Sequence, residues 1–162
     1  MAEEIEARIK ALGIELPEPS KPGGSYVPYH FSGNLLFLTG QLCHWNGERL
    51  FVGKLGAEFD IEQGKKAASV CALNLISQLN VALDRQLDRL VKTVRLAGYI
   101  NSAAEFHGQS QVMNGASDLF VEVFGERGRH TRLAVGVSSL PYNVAVEVEG
   151  GVITISGVQR RR

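Results

Sequence analysis

His130-Thr-Arg-Leu-Ala-Val-Gly-Val-Ser-Ser-Leu-Pro-Tyr-Asn-Val-Ala-Val-Glu-Val-Glu-Gly150 reads as two strand-like runs meeting at a Leu140-Pro141 corner. Alternate side chains of an extended chain point to opposite faces. Leu133, Val135 and Val137 therefore share one face, and Arg132, Ala134, Gly136 and Ser138 share the other. After the corner, Val144, Val146 and Val148 form an apolar face with Ala145, Glu147 and Glu149 opposite. If both valine-rich faces lie against one core, Arg132 and Glu147 fall on the same other side of the sheet. One guanidinium, one carboxylate and several small side chains then line a space.

Upstream of this stretch lie two helical patterns with a strand between them. Asp60 with Gln63 three residues on is a capping-box signature, and Cys71, Leu75, Ile76, Leu79, Ala82 and Leu83 follow on one stripe, which predicts a helix from Ile61 to about Leu83. Leu90 to Ile100 alternates, with Val94, Leu96 and Ile100 on one face and Arg95 and Tyr99 on the other, and reads as a strand. A second helix is expected from Phe106 to Phe124, with Met113, Ala116, Phe120 and Val123 on one face and Gly125 as its stop.

Nearer the N-terminus, Ile5, Ile9 and Leu12 have helical spacing over Glu3 to Leu12, and Gly13 ends that short amphipathic helix. Pro17, Pro19, Pro22, Gly23 and Gly24 then forbid both a continued helix and a central strand, leaving an extended connector. Tyr26 to Phe31, the turn signal Ser32-Gly33-Asn34, and Leu35 to Thr39 predict a hairpin. The unbroken apolar run Leu35 to Leu38 suggests a strand covered on both sides. Asn46-Gly47 marks a further tight turn, and the segment to Gly56 reads as a short hairpin or irregular edge.

These elements make one α+β domain over residues 1–162, with residues 1–20 as an N-terminal extension. Its mixed sheet carries two long helices on one face. A second face bearing Ala134, Gly136, Ser138 and Ala145 is too bland for solvent, so burial against copies of the chain in a closed ring is expected. Lys plus Arg and Asp plus Glu are both 17, so no general attraction to nucleic acid or an acidic membrane follows. The cationic runs Arg127, Arg129, His130, Arg132 and Arg160 to Arg162 read as a solvated loop and a frayed terminus. Cys43 and Cys71 read as reduced core thiols, His30, His44, His107 and His130 lack metal-ligand spacing, and no metal or cofactor is implied. No apolar run nears the ~18 residues of a membrane helix, the acidic start is unlike a targeting peptide, and the cytoplasm is the expected location.

Several short motifs agree in their spacing: Thr39-Gly40-Gln41 after an apolar strand, Asn114 in the second helix, Arg132 opening a strand, Leu140-Pro141, and Glu147 fifteen residues beyond the arginine. Together they resemble the YjgF/RidA family, also called the endoribonuclease L-PSP family, over roughly Pro19 to Gly150. Asn114 to Leu119, Val121 to Gly125 and Arg132 to Pro141 resemble its branch with an N-terminal extension.

The resemblance implies a chorismate-mutase-like α+β subunit in a homotrimer, the sheet face away from the helices turned inward, with clefts between neighbours. It implies hydrolysis of reactive enamines and imines, such as 2-aminoacrylate, to 2-keto acids and ammonia. Arg132 then holds the substrate carboxylate in its planar fork, and Glu147 orients or deprotonates the attacking water. Tyr26, Thr39, Gly40, Asn114 and Ala134 fall on cleft positions. Thr39 replaces the family's frequent Ser and keeps a hydroxyl, whereas Ala134 replaces its frequent Cys, so no thiol is available there. An endoribonuclease, resting mainly on the family label, and a trimeric small-ligand binder without turnover are the alternatives. Neutral charge and a single Trp45 argue against RNA.

Overall fold

The computed structural model describes residues 4–157. Its elements run α1 (Glu4–Ala11), β1 (Tyr29–Ser32), β2 (Leu35–Leu38), β3 (Gln41–Leu42), β4 (His44–Trp45), β5 (Glu48–Arg49), α2 (Ile61–Ala82), β6 (Leu90–Asn101), α3 (Gln109–Phe124), β7 (Thr131–Val137) and β8 (Val146–Ile155). The main sheet has the order β1-β2-β8-β6-β7 with β3 also on β8, and β4 and β5 pair separately. All main-sheet pairs are antiparallel except β6 with β7, which run parallel. Two parallel neighbours need a crossover, and α3 supplies it.

The local signals act as expected at the helix ends. Asp60 and Gln63 close a reciprocal capping box at the start of α2, and Gly125 ends α3 at φ +60°. The second helix begins at Gln109, not Phe106, because Gly108 stands at its N-cap position and Phe106 belongs to the preceding turn. Asn46 and Gly47 both take positive φ and join β4 to β5, the backbone a two-residue hairpin turn requires. The first hairpin is shorter than expected: pairing starts at Tyr29, and Tyr26 stays in the connector.

Helices α2 and α3 lie side by side on one face of the sheet, over a core that includes Leu36, Leu75, Leu79, Leu96, Ile100, Phe120, Val146 and Ile153. Glycines permit this close packing. A Cβ at Gly98 of β6 would collide with Met113 of α3, and one at Gly150 of β8 would lie 2.9 Å from Leu75 of α2. From α1, Ile5 and Ile9 are buried while Leu12 is 46% exposed, because the left-handed Gly13 turns the chain away. Cys43 and Cys71 are free, buried thiols, as expected.

The sheet register overturns two expectations, that Arg132 and Glu147 share a face and that Ala134 and Gly136 turn away from the helices. Residues paired across strands put their side chains on the same face. Arg132 pairs with Leu96, and Ala134 pairs with Gly98, which pairs in turn with Val148. Arg132, Ala134 and Gly136 therefore look toward the helices. Val135 pairs with Tyr99, and Tyr99 with Glu147, while Leu133 joins Ala97 and Glu149. Arg132 and Glu147 lie on opposite faces, and the valine-rich side of β7 is the one turned away from the helices. That open face carries Phe37 and Leu133, 39% and 38% exposed, so β2 is covered on one side only. Register shifts in β6 between Leu90 and Ala97 also turn Val94 outward.

The basic run after α3 is structural and not a solvated loop. Arg127 donates to the carbonyls of Asp88 and Leu90 (3.2 and 3.3 Å) and pairs with Asp88 and Glu4, joining the β7 approach to α1 and β6. Arg160 to Arg162 lie outside the described residues.

Candidate functional site

Seven side chains proposed from sequence form two groups. Glu147 opens β8 beside Leu42 of β3 and Tyr99 of β6. The chain reaches β3 through Gly40, where a Cβ would stand 2.5 Å from Oε1 of Glu147. A side chain at this position would have to push the carboxylate aside. Thr39 anchors this approach: its amide donates to Pro28 O (2.9 Å) and its hydroxyl to Val27 O (2.6 Å). The Thr39 hydroxyl thus holds the connector, on which Tyr26 accepts a hydrogen bond from the Gly23 amide through its own hydroxyl (3.0 Å). Tyr26, Pro28, Thr39, Gly40, Leu42 and His44 line a cavity of about 160 Å³.

Glu147 is half-buried and its side chain makes no hydrogen bond within the described residues. Burial raises its pKa above the ordinary carboxylate value, and the nearby charge of Glu149 raises it further. A carboxylate with poor solvation and no donor is a stronger base than one in water.

The second group sits at the edge of the sheet. Arg132 of β7 reaches back to α3: Nη1 donates to Asn114 Oδ1 (2.8 Å) and Ser117 Oγ (3.2 Å), and Nη2 to Ser110 Oγ (2.8 Å) and Ser110 O (3.0 Å). Behind it, His130 Nδ1 lies 2.6 Å from Gly128 O and Nε2 lies 2.9 Å from Ser117 Oγ. A carbonyl only accepts, so Nδ1 carries the proton and Nε2 accepts from the Ser117 hydroxyl. Ser117 is then free to accept from Arg132. Burial lowers the His130 pKa, with Arg132 and Lys92 adding to the shift, which favours this neutral tautomer. Ala134 lies beside Arg132 on the same face and packs on the core, so the methyl fills space and offers no donor.

Tyr26, Thr39, Gly40 and Glu147 thus come together, as do Asn114, Arg132 and Ala134, but the sheet separates the two groups. Sequence reading missed Ser110, Ser117 and His130. The first two had a signal: Ser110, Asn114 and Ser117 recur at i, i+4 and i+7, a polar stripe along one side of the helix. His130 was hidden in a run of cations. Among the described residues no cluster of His, Cys, Asp and Glu could hold a metal.

The sequence profile of the YjgF/chorismate mutase-like family, which carries endoribonuclease as a provisional label, matches residues 6–149. The chain belongs to this family. Protein TCP17 of Trypanosoma cruzi is 44% identical over 146 residues, spanning 90% of this chain and 91% of that protein. The crystal structure of Atu1372 from Agrobacterium tumefaciens, a protein of unknown function, is 39% identical with a TM-score of 0.88 over 96% of this chain and 94% of that one. A Shewanella oneidensis protein provisionally named an endoribonuclease is 34% identical with a TM-score of 0.88, covering 93% and 98% of the two chains. As a YjgF-family chain it has the expected mixed sheet with its helices on one face. None of its described helices is long and apolar enough to cross a membrane.

Proposed function

We propose that this YjgF-family protein hydrolyses reactive 2-imino and 2-enamino acids to 2-keto acids and ammonia, in clefts between the subunits of a homotrimer. The observation that carries this reading is Glu147, a half-buried carboxylate packed against Gly40, which itself lines a small cavity. Water adds through oxygen to the imine carbon while Glu147 takes one of its protons. The proton goes to nitrogen to give a carbinolamine, the hydroxyl proton then passes to the same nitrogen, the C–N bond breaks, ammonia leaves, and the oxygen becomes the keto group. An imine is already electrophilic, so positioning and proton transfer suffice, and a thiol at position 134 is not required.

Arg132 serves this reaction as the carboxylate holder, contributed to the cleft by the neighbouring subunit. Its position at the exposed edge of the sheet supports that role. Both η nitrogens are bonded to α3, so substrate displaces the Ser110 contacts, the outermost of the set. Arg132→Lys is expected to weaken pyruvate binding about tenfold or more, since a point charge cannot reproduce the fork. Calorimetry checks this; a fall in melting temperature with unchanged affinity would make Arg132 a strut between β7 and α3.

The apolar face of β7 supports the trimer. A subunit exposing Leu133 on β7 and Phe37 on β2, on the same face of the sheet, leaves apolar surface that association buries. Leu133→Asp is expected to convert the assembly to monomers at micromolar concentration, read by light scattering. A monomeric natural protein would sink the cleft between subunits. The activity itself is tested by generating 2-aminoacrylate enzymatically and following keto-acid release with and without the protein. Equal release in both removes the hydrolase reading, and cleavage of RNA by the same preparation would replace it.

A further inference from the structure

Next to the cavity lined by Gly40 lies a second, larger one of about 360 Å³, and the two share Ser20, Lys21, His44 and Tyr142 in their walls. Its charged lining is Lys21, Arg49 and Glu18. Neither Lys21 nor Arg49 has a salt-bridge partner among the described residues. His44, which pairs with Arg49 across the β4–β5 hairpin, has its pKa lowered by burial and by the Arg49 charge, and so stands neutral. The cavity therefore carries two cations against one anion.

Its walls are held in place. The buried Asn74 of α2 donates to His44 O (2.6 Å), fixing the hairpin, and the Glu18 amide donates to Asn46 Oδ1 (2.8 Å), fixing the connector to the same hairpin. The Arg49 guanidinium lies 3.7 Å from the ring centroid of Tyr142. That ring is presented by a backbone in the left-handed region at both Tyr142 and Asn143, φ +58° each. Two adjacent non-glycine residues there are costly, at about 1–3 kcal/mol each, and persist because the corner is over-determined by its surroundings. Stacking engages the face of the guanidinium and leaves its N–H edge for a planar anion.

We propose that this cavity is a distal-carboxylate subsite, and that the substrate is a 2-imino dicarboxylic acid whose second carboxylate reaches Arg49 and Lys21. The inference rests on reading the Gly40 cavity, beside Glu147, as the reaction chamber. A net charge of about one positive, set by Glu18 against the two cations, matches a single carboxylate better than a phosphate or a polyanion. The shared wall makes the two cavities neighbours, as one short ligand spanning both requires.

The test is calorimetric titration of the natural protein, Arg49→Gln, Arg49→Lys and Lys21→Gln with pyruvate and with 2-oxoglutarate. The natural protein is expected to hold 2-oxoglutarate about tenfold more tightly than pyruvate, the size of one charge-assisted contact. Arg49→Gln brings that ratio close to one, Lys21→Gln lowers it, and Arg49→Lys keeps part of it, with melting temperatures reporting that each variant is folded. Equal affinity for the two acids, binding of neither, a ratio unchanged in Arg49→Gln, or an equal loss for both acids in that variant overturns the subsite. Hydrolysis of 2-aminoacrylate by the natural protein reports on the reaction chamber separately, so the two readings fail independently.

Discussion

Glu147→Gln is expected to bind pyruvate as tightly as the natural protein and to hydrolyse 2-aminoacrylate about 10²- to 10⁴-fold more slowly, the usual contribution of a positioned general base. The amide keeps the shape beside Gly40 and removes the proton acceptor. Turnover needs the carboxylate ionised, so the rate should rise with pH through a value above the ordinary glutamate range, as burial and Glu149 dictate. Stability should move the other way. A carboxylate whose folded pKa lies above its unfolded value binds a proton more tightly in the folded state, so its contribution is present at low pH and lost as pH rises through the folded pKa. Glu147→Gln therefore removes a buried charge at neutral pH and should melt no lower than the natural protein there, the difference shrinking in acid. Thermal scans at several pH values and the coupled assay on the same preparations check both halves. Normal turnover together with a lower melting temperature at neutral pH would make Glu147 a structural partner and leave water activation to the substrate.

That test matters because the two faces of the sheet could not be told apart from sequence. Alternation says which residues of a strand share a face, not which face meets the core. In β8 the valines do meet it. In β7, an edge strand paired in parallel, the same pattern is turned outward, and the pairs Leu96 with Arg132 and Gly98 with Ala134 place the polar and small residues toward α3. The register shifts in β6 had the same effect on Val94. Signals that depend on local backbone chemistry were read correctly: the Asp60–Gln63 box, the Gly125 stop and the Asn46-Gly47 turn each require only a few consecutive residues. The candidate residues were legible as motifs and their grouping was not, because which of them meet depends on a crossover and on strand order. Lys21 and Arg49, 28 positions apart in sequence, line one cavity where Asn74 and Asn46 hold the hairpin against the connector.

Gly115→Ala is expected to lower stability by about 2 kcal/mol, within the range for overpacking a closed contact. Two effects oppose each other. Alanine in a helix interior gains roughly 1 kcal/mol over glycine, but a Cβ at Gly115 would overlap the carbonyl of Lys65 and lie 2.7 Å from its carbon. The obstacle is helical backbone in the second turn of α2 and cannot rotate away, so α2 and α3 must part. Parting them opens the core around Ala68 and Val112, both fully buried, and the clash outweighs the gain in propensity. At about 2–4 °C per kcal/mol for a chain of this size, the melting temperature should fall by roughly 6 °C at fixed protein concentration. The functional consequence follows from the neighbours: Asn114 precedes Gly115 and Ser117 follows it, and both hold Arg132. Moving α3 therefore misplaces the guanidinium, and pyruvate affinity should drop together with stability. Gly33→Ala serves as the comparison, since a Cβ there meets nothing within 4 Å and the cost is only that of its φ of +60°. A Gly115→Ala protein that melts at or above the natural temperature would show that the helices have room, and that α3 positions Arg132 without being tightly seated on α2.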